Sequence, residues 1–322
     1  MGLEALTTGR SIRGEIYRRI QAAPVNWADM LAWPIQSDQA QETYQMTGAV
    51  AQMREWVGNR QFAGLTVYPW TIENKWYENS VQIDRLWMER DKTGQIRARI
   101  NDLVTRYRSH GVKLLADLLN NGASQLCYDG QYFFSTTHAE GSSGTLSNAV
   151  TLTMSGSPIP SDERGTTSAP SAKSMTWAIS KLIEQLKTFK DDKGEPINEM
   201  ATKFVAVVPT NMWGSGITSS IVPALAGGEV NPLPAVLKAT GISLEIVESA
   251  RLTTATDLFV MRVDGGDGTM PFIKQTETPP VVMAEAEGTS EWNKRRRALF
   301  GVDYRGAWGY GLWQCAVRGR FA

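Results

Sequence analysis

Apolar residues recur at three- and four-residue steps through Ile100, Leu103, Val104, Tyr107, Leu114, Leu115 and Leu118. That spacing lays one apolar face along a helix and predicts an element from about Arg97 to Asn121. About twenty-five residues at ~1.5 Å each make a rod of roughly 37 Å. Asn120-Asn121-Gly122 supplies a C-cap, because Asn and Gly accept the left-handed conformation there. The stretch before this helix, Val67 to Gly94, mixes charges with aromatics and reads as a long hairpin, with Asp91-Lys92-Thr93-Gly94 as the turn into the helix. It carries Trp70, Trp76, Tyr77 and Trp87, yet a lone two-stranded hairpin is marginal in water. Each aromatic contributes roughly 4–6 kcal/mol if buried, at ~150–250 Å² and ~25 cal/mol per Å², while ordering each residue costs ~1–2 kcal/mol. Such a hairpin needs a surface to lie on, and a neighbouring copy is the expected one.

The remaining pattern divides around these two features. Ser11 to Ile20 predicts a short helix with Ile12, Ile16 and Ile20 on one side, and Gln- and Ala-rich sequence then leads to Phe62. The apolar residues of this zone (Trp27, Met30, Leu31, Trp33, Ile35, Met46, Met53, Trp56) are numerous but sparse and define no compact unit. Residues 1–63 are therefore expected to form an arm. Strands are predicted at Tyr128 to Ser135 and Val150 to Met154, the latter inside a Gly-, Ser-, Thr- and Pro-rich stretch from Ala139 to Pro170. An α/β unit follows. It comprises a helix from Lys173 to Phe189, a turn at Asp191-Asp192-Lys193-Gly194, a buried strand from Lys203 to Val208 and a helix from Asn211 to Leu225. Strands at Ile242 to Val247 and Leu258 to Val263 complete it. After a glycine break at Gly265-Gly266-Asp267-Gly268, extended segments are expected at Met270 to Gln275, Val281 to Ala286 and Arg297 to Phe321.

Composition narrows the function classes. The 322 residues are enough for a sizeable core, and 33 basic residues balance 33 acidic ones, so no global field draws the chain to nucleic acid or an anionic membrane. No apolar run approaches the ~20 residues of a membrane span. Met1-Gly2-Leu3-Glu4 opens no signal peptide, and Cys127 and Cys315 are expected to be reduced and buried in a cytosolic protein.

Reaction chemistry has few candidates. His110 and His138 are the only histidines, and Cys127 with His138 would make a thiol–imidazole pair, Asp129 orienting the ring. No nucleophile-elbow motif accompanies them, and a buried structural thiol is commoner before a strand. The cysteines and histidines lack zinc spacing. Asp264 and Asp267 lack the rest of a calcium loop, and Gly214-Ser215-Gly216 lacks the third glycine and lysine of a phosphate loop. No catalytic residue, metal or cofactor is expected. Lys294-Arg295-Arg296-Arg297 is the one DNA-facing candidate, although such runs are usually solvated or salt-bridged.

Several blocks resemble the phage Mu-type major head subunit family: Gln61 to Leu65, Trp70 to Glu78, Arg90 to Gly94, Cys127-Tyr128-Asp129-Gly130-Gln131-Tyr132-Phe133-Phe134-Ser135 with His138, and Gly301 to Gly311. The likeness runs from about Phe62 to the C-terminus. Ala139 departs from it, standing where proline is expected after the histidine. The resemblance implies an α+β fold of the Hong Kong 97 capsid type. In order it has an N-terminal arm (1–63), an extended E-loop hairpin (64–96) and a peripheral domain with a long spine helix (97–169). An axial domain (170–265) and C-terminal strands returning to the peripheral domain (266–322) complete it. It further implies a non-enzymatic major capsid protein forming hexamers and pentamers in an icosahedral shell around double-stranded DNA. The expected partners are scaffold, portal and decoration proteins, with only weak, nonspecific DNA contact. The chain would reside in the virion and, before assembly, in the host cytoplasm. Intersubunit contacts are expected at Trp70, Glu73, Lys75, Trp76, Tyr77, Glu78, Arg85, Trp87 and Arg90. An encapsulin-like compartment shell and a thiol hydrolase are the alternatives.

Overall fold

A computed structural model describes residues 9–22, 26–50, 52–60, 62, 64–90, 94–221, 231–266, 268–286 and 288–322. Helix α1 (Gly9–Gln21) precedes strands β1 (Ala32–Gln36), β2 (Gln41–Thr47), β3 (Val67–Glu73) and β4 (Lys75–Asp84). The short α2 (Arg85–Arg90) and long α3 (Gln95–Asn121) follow, then β5 (Ala149–Leu152), α4 (Ala172–Lys187), β6 (Lys203–Val208), α5 (Thr210–Ile221) and α6 (Pro232–Thr240). Strands β7 (Ser243–Glu248), β8 (Asp257–Arg262) and β9 (Phe272–Glu285), helix α7 (Ser290–Arg295), and strands β10 (Arg297–Tyr310) and β11 (Ala316–Phe321) complete the chain.

Two sheets organise these elements. The first has the order β1-β9-β10-β4, and the second β5-β11-β8-β6-β7. In the first, β10 pairs antiparallel with both β9 and β4, the latter from Arg297 opposite Asp84 to Gly306 opposite Lys75. Helices α1 and α3 cover one face, where Ile12, Ile16, Ile83, Ile100, Leu103, Phe300 and Val302 form a core. The second sheet is buried through β6 and β8 and packs with α4, whose Leu182 and Leu186 join Phe204, Val260 and Trp313 in the larger core. Helix α3 serves both cores, contributing Leu115 and Leu119 to the larger one. Ser171 starts α4 by accepting the Ser174 N–H, and Pro232 at the start of α6 follows an Asn231 cap.

Periodic segments formed as expected: α1 buries Ile12 and Ile16, and α3, α4, β5, β6, β7 and β8 lie within a few residues of their predicted spans. The expected hairpin did not. Asn74 alone separates β3 from β4, and the two strands run on into different pairings, β3 with β2 and β4 with β10. The Asn74 amide donates to Ser37 Oγ at 2.8 Å and Gln39 O at 2.7 Å, and its Oδ1 accepts from Gln275 at 2.9 Å, so the junction is pinned where the pairings diverge. The surface under this stretch is thus supplied largely by its own chain. The first zone is likewise no continuous arm, because residues 32–36 and 41–47 are strands.

Two further expectations were overturned. Tyr128 to Ser135 is no strand; Gly130, at φ +80°, closes a tight turn by donating to Cys127 O at 3.0 Å. Gly122 is right-handed rather than left-handed, and it is required because a Cβ there would overlap the Phe134 ring. Helices α2, α6 and α7 were not anticipated, being too short to show a period. The Asp91–Thr93 part of the predicted turn, Asp267, and the predicted continuation of α5 past Ile221 lie outside the described residues.

Asp264 ties the end of β8 to the start of β6, accepting from Arg262 Nε at 2.7 Å, Thr202 N at 2.6 Å and Lys203 N at 3.1 Å. Burial alone would raise its carboxyl, but the Arg262 guanidinium and the Thr202 N–H outweigh burial and hold it down to about 2. The folded value lies below the ordinary one, so this carboxylate stabilises the fold above about pH 4 and loses that effect as pH falls toward 2. Asp264→Asn is expected to lower the thermal midpoint at pH 7, with the gap to the parent closing between pH 5 and pH 2; a constant gap would count against the assignment. Gly122→Ala is expected to cost about 1–3 kcal/mol through overpacking, read as a lowered urea midpoint at unchanged slope.

Candidate assembly surfaces

The thiol–imidazole pair separates into two unrelated buried groups. Asp129 Oδ2 lies 2.5 Å from His138 Nδ1, and Asn148 Oδ1 lies 3.2 Å from Nε2. The ring stacks on Trp313 at 4.0 Å with 4° between planes. Asp129 therefore orients His138 as expected, but Cys127 Sγ faces the Gly311 carbonyl at 3.8 Å, and burial pushes its thiol well up. Beside it, Glu140 accepts from Tyr128 Oη at 2.6 Å, Trp313 Nε1 at 2.7 Å and Gln314 Nε2 at 3.0 Å, while burial raises its carboxyl. These residues form a structural knot that fastens the 313–315 turn to the segment 127–148 that follows α3. His110 meets Tyr77 edge-on at 4.3 Å and is lowered by burial and by Lys113. Gly214 to Gly216 lie inside α5, and among the described residues no group of His, Cys, Asp or Glu is placed to hold a metal ion.

The basic run is not a stripe of aligned cations. Lys294 and Arg295 end α7, Arg296 closes it at φ 53°, and Arg297 begins β10. Glu291 holds Arg297 at 2.6 Å and Arg295 at 3.3 Å, and Arg297 also donates to Gln82 at 2.9 Å.

The aromatic candidates divide by exposure. Trp70 and Tyr77 are half-buried, Tyr77 stacking with Tyr304 at 6.2 Å. Trp76 is 65% exposed beneath the Arg305 guanidinium at 4.0 Å, and Trp87 is 73% exposed on α2. Arg85 lies 4.9 Å over Trp292, while Glu73, Lys75, Glu78 and Arg90 are exposed.

Another group of exposed apolar residues lies elsewhere. Between β2 and β3 the described residues of the 48–66 loop form no helix or strand, and its two roots are joined by the Gly48 N–H donating to Thr66 O at 2.8 Å. On it Met53 is 99% exposed and Phe62 90%, with Val50, Trp56 and Val57 also in solvent. Long irregular loops in compact domains are usually functional, and apolar residues held in solvent mark contact surfaces. In the sequence Met53 and Trp56 were only two of eight sparse apolar residues in the first zone, and nothing there set the loop apart.

The model of a family described as Mu-like prophage major head subunit gpT matches residues 4–158 and 247–321. The chain belongs to that family. A curated relative, the Mu-like prophage FluMu major head subunit of Haemophilus influenzae, is 31% identical over 147 residues, 46% of each chain. The major capsid protein of Escherichia phage Mu is 29% identical over 136 residues, 42% of this chain and 44% of that one. The chain spans about half the length of the curated relatives it matches. Among solved structures, the capsid of cyanophage P-SCSP1u aligns at TM-score 0.55 and 13% identity over 94% of this chain and 91% of that one. The capsid of Myoviridae phage XM1 aligns at 0.54 and 12% over 93% and 92%. The procapsid of bacteriophage JBD30 aligns at 0.51 and 18% over 97% and 74%. The fold is the α+β capsid fold of the Hong Kong 97 type, as expected.

Burial of both thiols, with Cys315 pushed up to about 12, predicts that a thiol reagent at pH 7 labels the native chain on the order of 100-fold more slowly than in urea. Rapid native labelling would revive a thiolate at Cys127.

Proposed function

We propose that the chain is the major capsid subunit of a tailed phage or prophage, assembling through hexamers and pentamers into an icosahedral head around double-stranded DNA. The observation that carries this proposal is the family match on both sides of the chain, from residue 4 to 158 and from 247 to 321. The subunit does no chemistry; its partners are other copies of itself, with scaffold, portal and decoration proteins. It resides in the virion and, before assembly, in the host cytoplasm.

A shell needs many contacts, none strong alone, because contacts made together multiply through avidity. The loop at 48–66 suits an intersubunit arm: it offers Met53, Trp56 and Phe62 for burial, while Arg54, Glu55 and Arg60 can fix register against a neighbour. Glu73 at the end of β3, Lys75, Trp76 and Glu78 on β4, and Trp87 and Arg90 on α2 add further exposed candidates. In this assignment α3 is the spine helix of the peripheral domain. That domain also takes in β1 and β4, which share a sheet with β9 and β10, and residues 170–265 surround the capsomer centre. Equal numbers of basic and acidic residues suit a container, since a strongly basic lining would grip packaged DNA.

A Trp56→Ser, Phe62→Ser double variant is expected to keep the thermal midpoint of the unassembled subunit but to lower closed-shell yield by about tenfold or more. Shells counted by negative-stain electron microscopy in normal number would overturn the assignment of the loop as an arm.

A further inference from the structure

One buried carboxylate holds both roots of the 48–66 loop. Asp192 sits on the α4–β6 connection, far along the chain from the loop, and is 5% exposed. Its Oδ1 accepts the Ala49 N–H at 2.7 Å, and its Oδ2 accepts the Thr66 hydroxyl at 3.3 Å. The Lys193 ammonium lies 3.2 Å from the same Oδ2. Thus one root of the loop is held through its backbone and the other through a side chain, by hydrogen bonds to an ionised acceptor, which are stronger than neutral ones.

The carboxylate is itself immobilised. The Asp192 carbonyl accepts the Ser142 N–H at 2.9 Å, and the Gly194 N–H closes the turn on Asp191 O at 3.0 Å. The Asp191 carboxylate adds two bonds, from the Lys193 and Glu195 N–H groups, both at 2.9 Å. Close packing completes the joint: a Cβ on Gly48 would overlap the Asp192 carboxylate, and one on Gly141 would overlap its carbonyl. A cavity of about 530 Å³, lined in part by Gly48, Ala49, Tyr68, Glu140 and Asp192, lies beside the joint and gives the roots space to move if the carboxylate lets go.

We propose that Asp192 is a positioning residue that sets the angle at which the 48–66 loop leaves the domain. Its consequence for assembly rests on the assignment of that loop as the intersubunit arm; its effect on the loop does not. Two classes of substitution act on the joint from opposite sides. Asp192→Ala removes the acceptor, and Gly48→Ala leaves the acceptor in place but forces the root off it.

Spin labels at Met53→Cys and Met200→Cys report the angle in the unassembled full chain, since both positions are exposed while Cys127 and Cys315 are buried. Double electron–electron resonance is expected to give a narrow distance distribution in the parent, and one broadened roughly twofold or more in both D192A and G48A. A second pair, Met200→Cys with Trp213→Cys, stays within residues 200–213 and is expected to keep its width. Unchanged widths for the 53–200 pair would overturn the proposal, as would equal broadening of both pairs, which would make Asp192 a general stability residue. Shell yield read on the same variants separates the two claims. Broadening with reduced yield supports both, whereas broadening with normal yield keeps Asp192 as the positioning residue and removes the loop from assembly.

Discussion

The structure depends on the covalent continuity of two interior strands. Strand β10 lies between β9 and β4 in one sheet, and β11 lies between β5 and β8 in the other, with only the 311–315 turn between them. Whatever fixes that turn fixes the relation of the two sheets. The turn is held by buried polar groups: Trp313 and Gln314 donate to Glu140, and Asn198 donates to Gln314 O at 2.7 Å. A carboxylate buried in this way needs its donors, because losing one leaves a desolvated acceptor unpaired. The Cys127-to-Ser135 segment, which resembled a signature in the sequence, is the other wall of this knot. Its residue types serve packing and hydrogen bonding: Phe133 stacks on Tyr310 at 4.4 Å, and Tyr128 bonds both Glu140 and Gln314.

Legibility in the sequence followed the range of the forces. Helices α3 and α4 and strand β6 were readable because their burial pattern is local and periodic. The pairing of β3 and β4 was not, because it is decided by Asn74, Ser37 and Gln275, residues some 37 and 201 positions apart that no local pattern links. Asp-Gly at 129–130 signalled a turn that the run of aromatics after it obscured. The candidate assembly surface was barely legible. Met53 and Trp56 were two of many sparse apolar residues in the first zone, and their loop position became visible only once β2 and β3 were seen to pair around them. Asp192 gave no signal beyond a turn, since its partners lie in a different part of the chain.

Exposed aromatics are a liability to any subunit that must stay soluble until it assembles. Here two of them are partly covered by cations of the same chain. Arg305 lies over Trp76 at 4.0 Å and Arg60 over Trp56 at 5.2 Å. Such contacts are weak at exposed sites, near 0.5–1 kcal/mol in general. They shield a ring without committing it, so a partner can displace the guanidinium at small cost. The Glu277 carboxylate, 3.5 Å from Arg305, keeps that cation at hand when the ring is vacated.

The order of strands in the second sheet also bears on how such a chain can diverge. Strands β5, β8 and β11 come from the two stretches that match the family, while β6, helices α4 to α6 and all but the last two residues of β7 fall in residues 159–246 between them. In space β5, β11 and β8 form a continuous block at one end of the sheet, and β6 and β7 are added outward from β8. The intervening stretch is tied back across that block all the same: its Asn198 donates to Gln314 O at 2.7 Å in the 311–315 turn, and its Leu182 lies where any side chain at Gly319 of β11 would be. A change there reaches the hinge between the two sheets directly, so divergence in that stretch is free only where it keeps these two contacts.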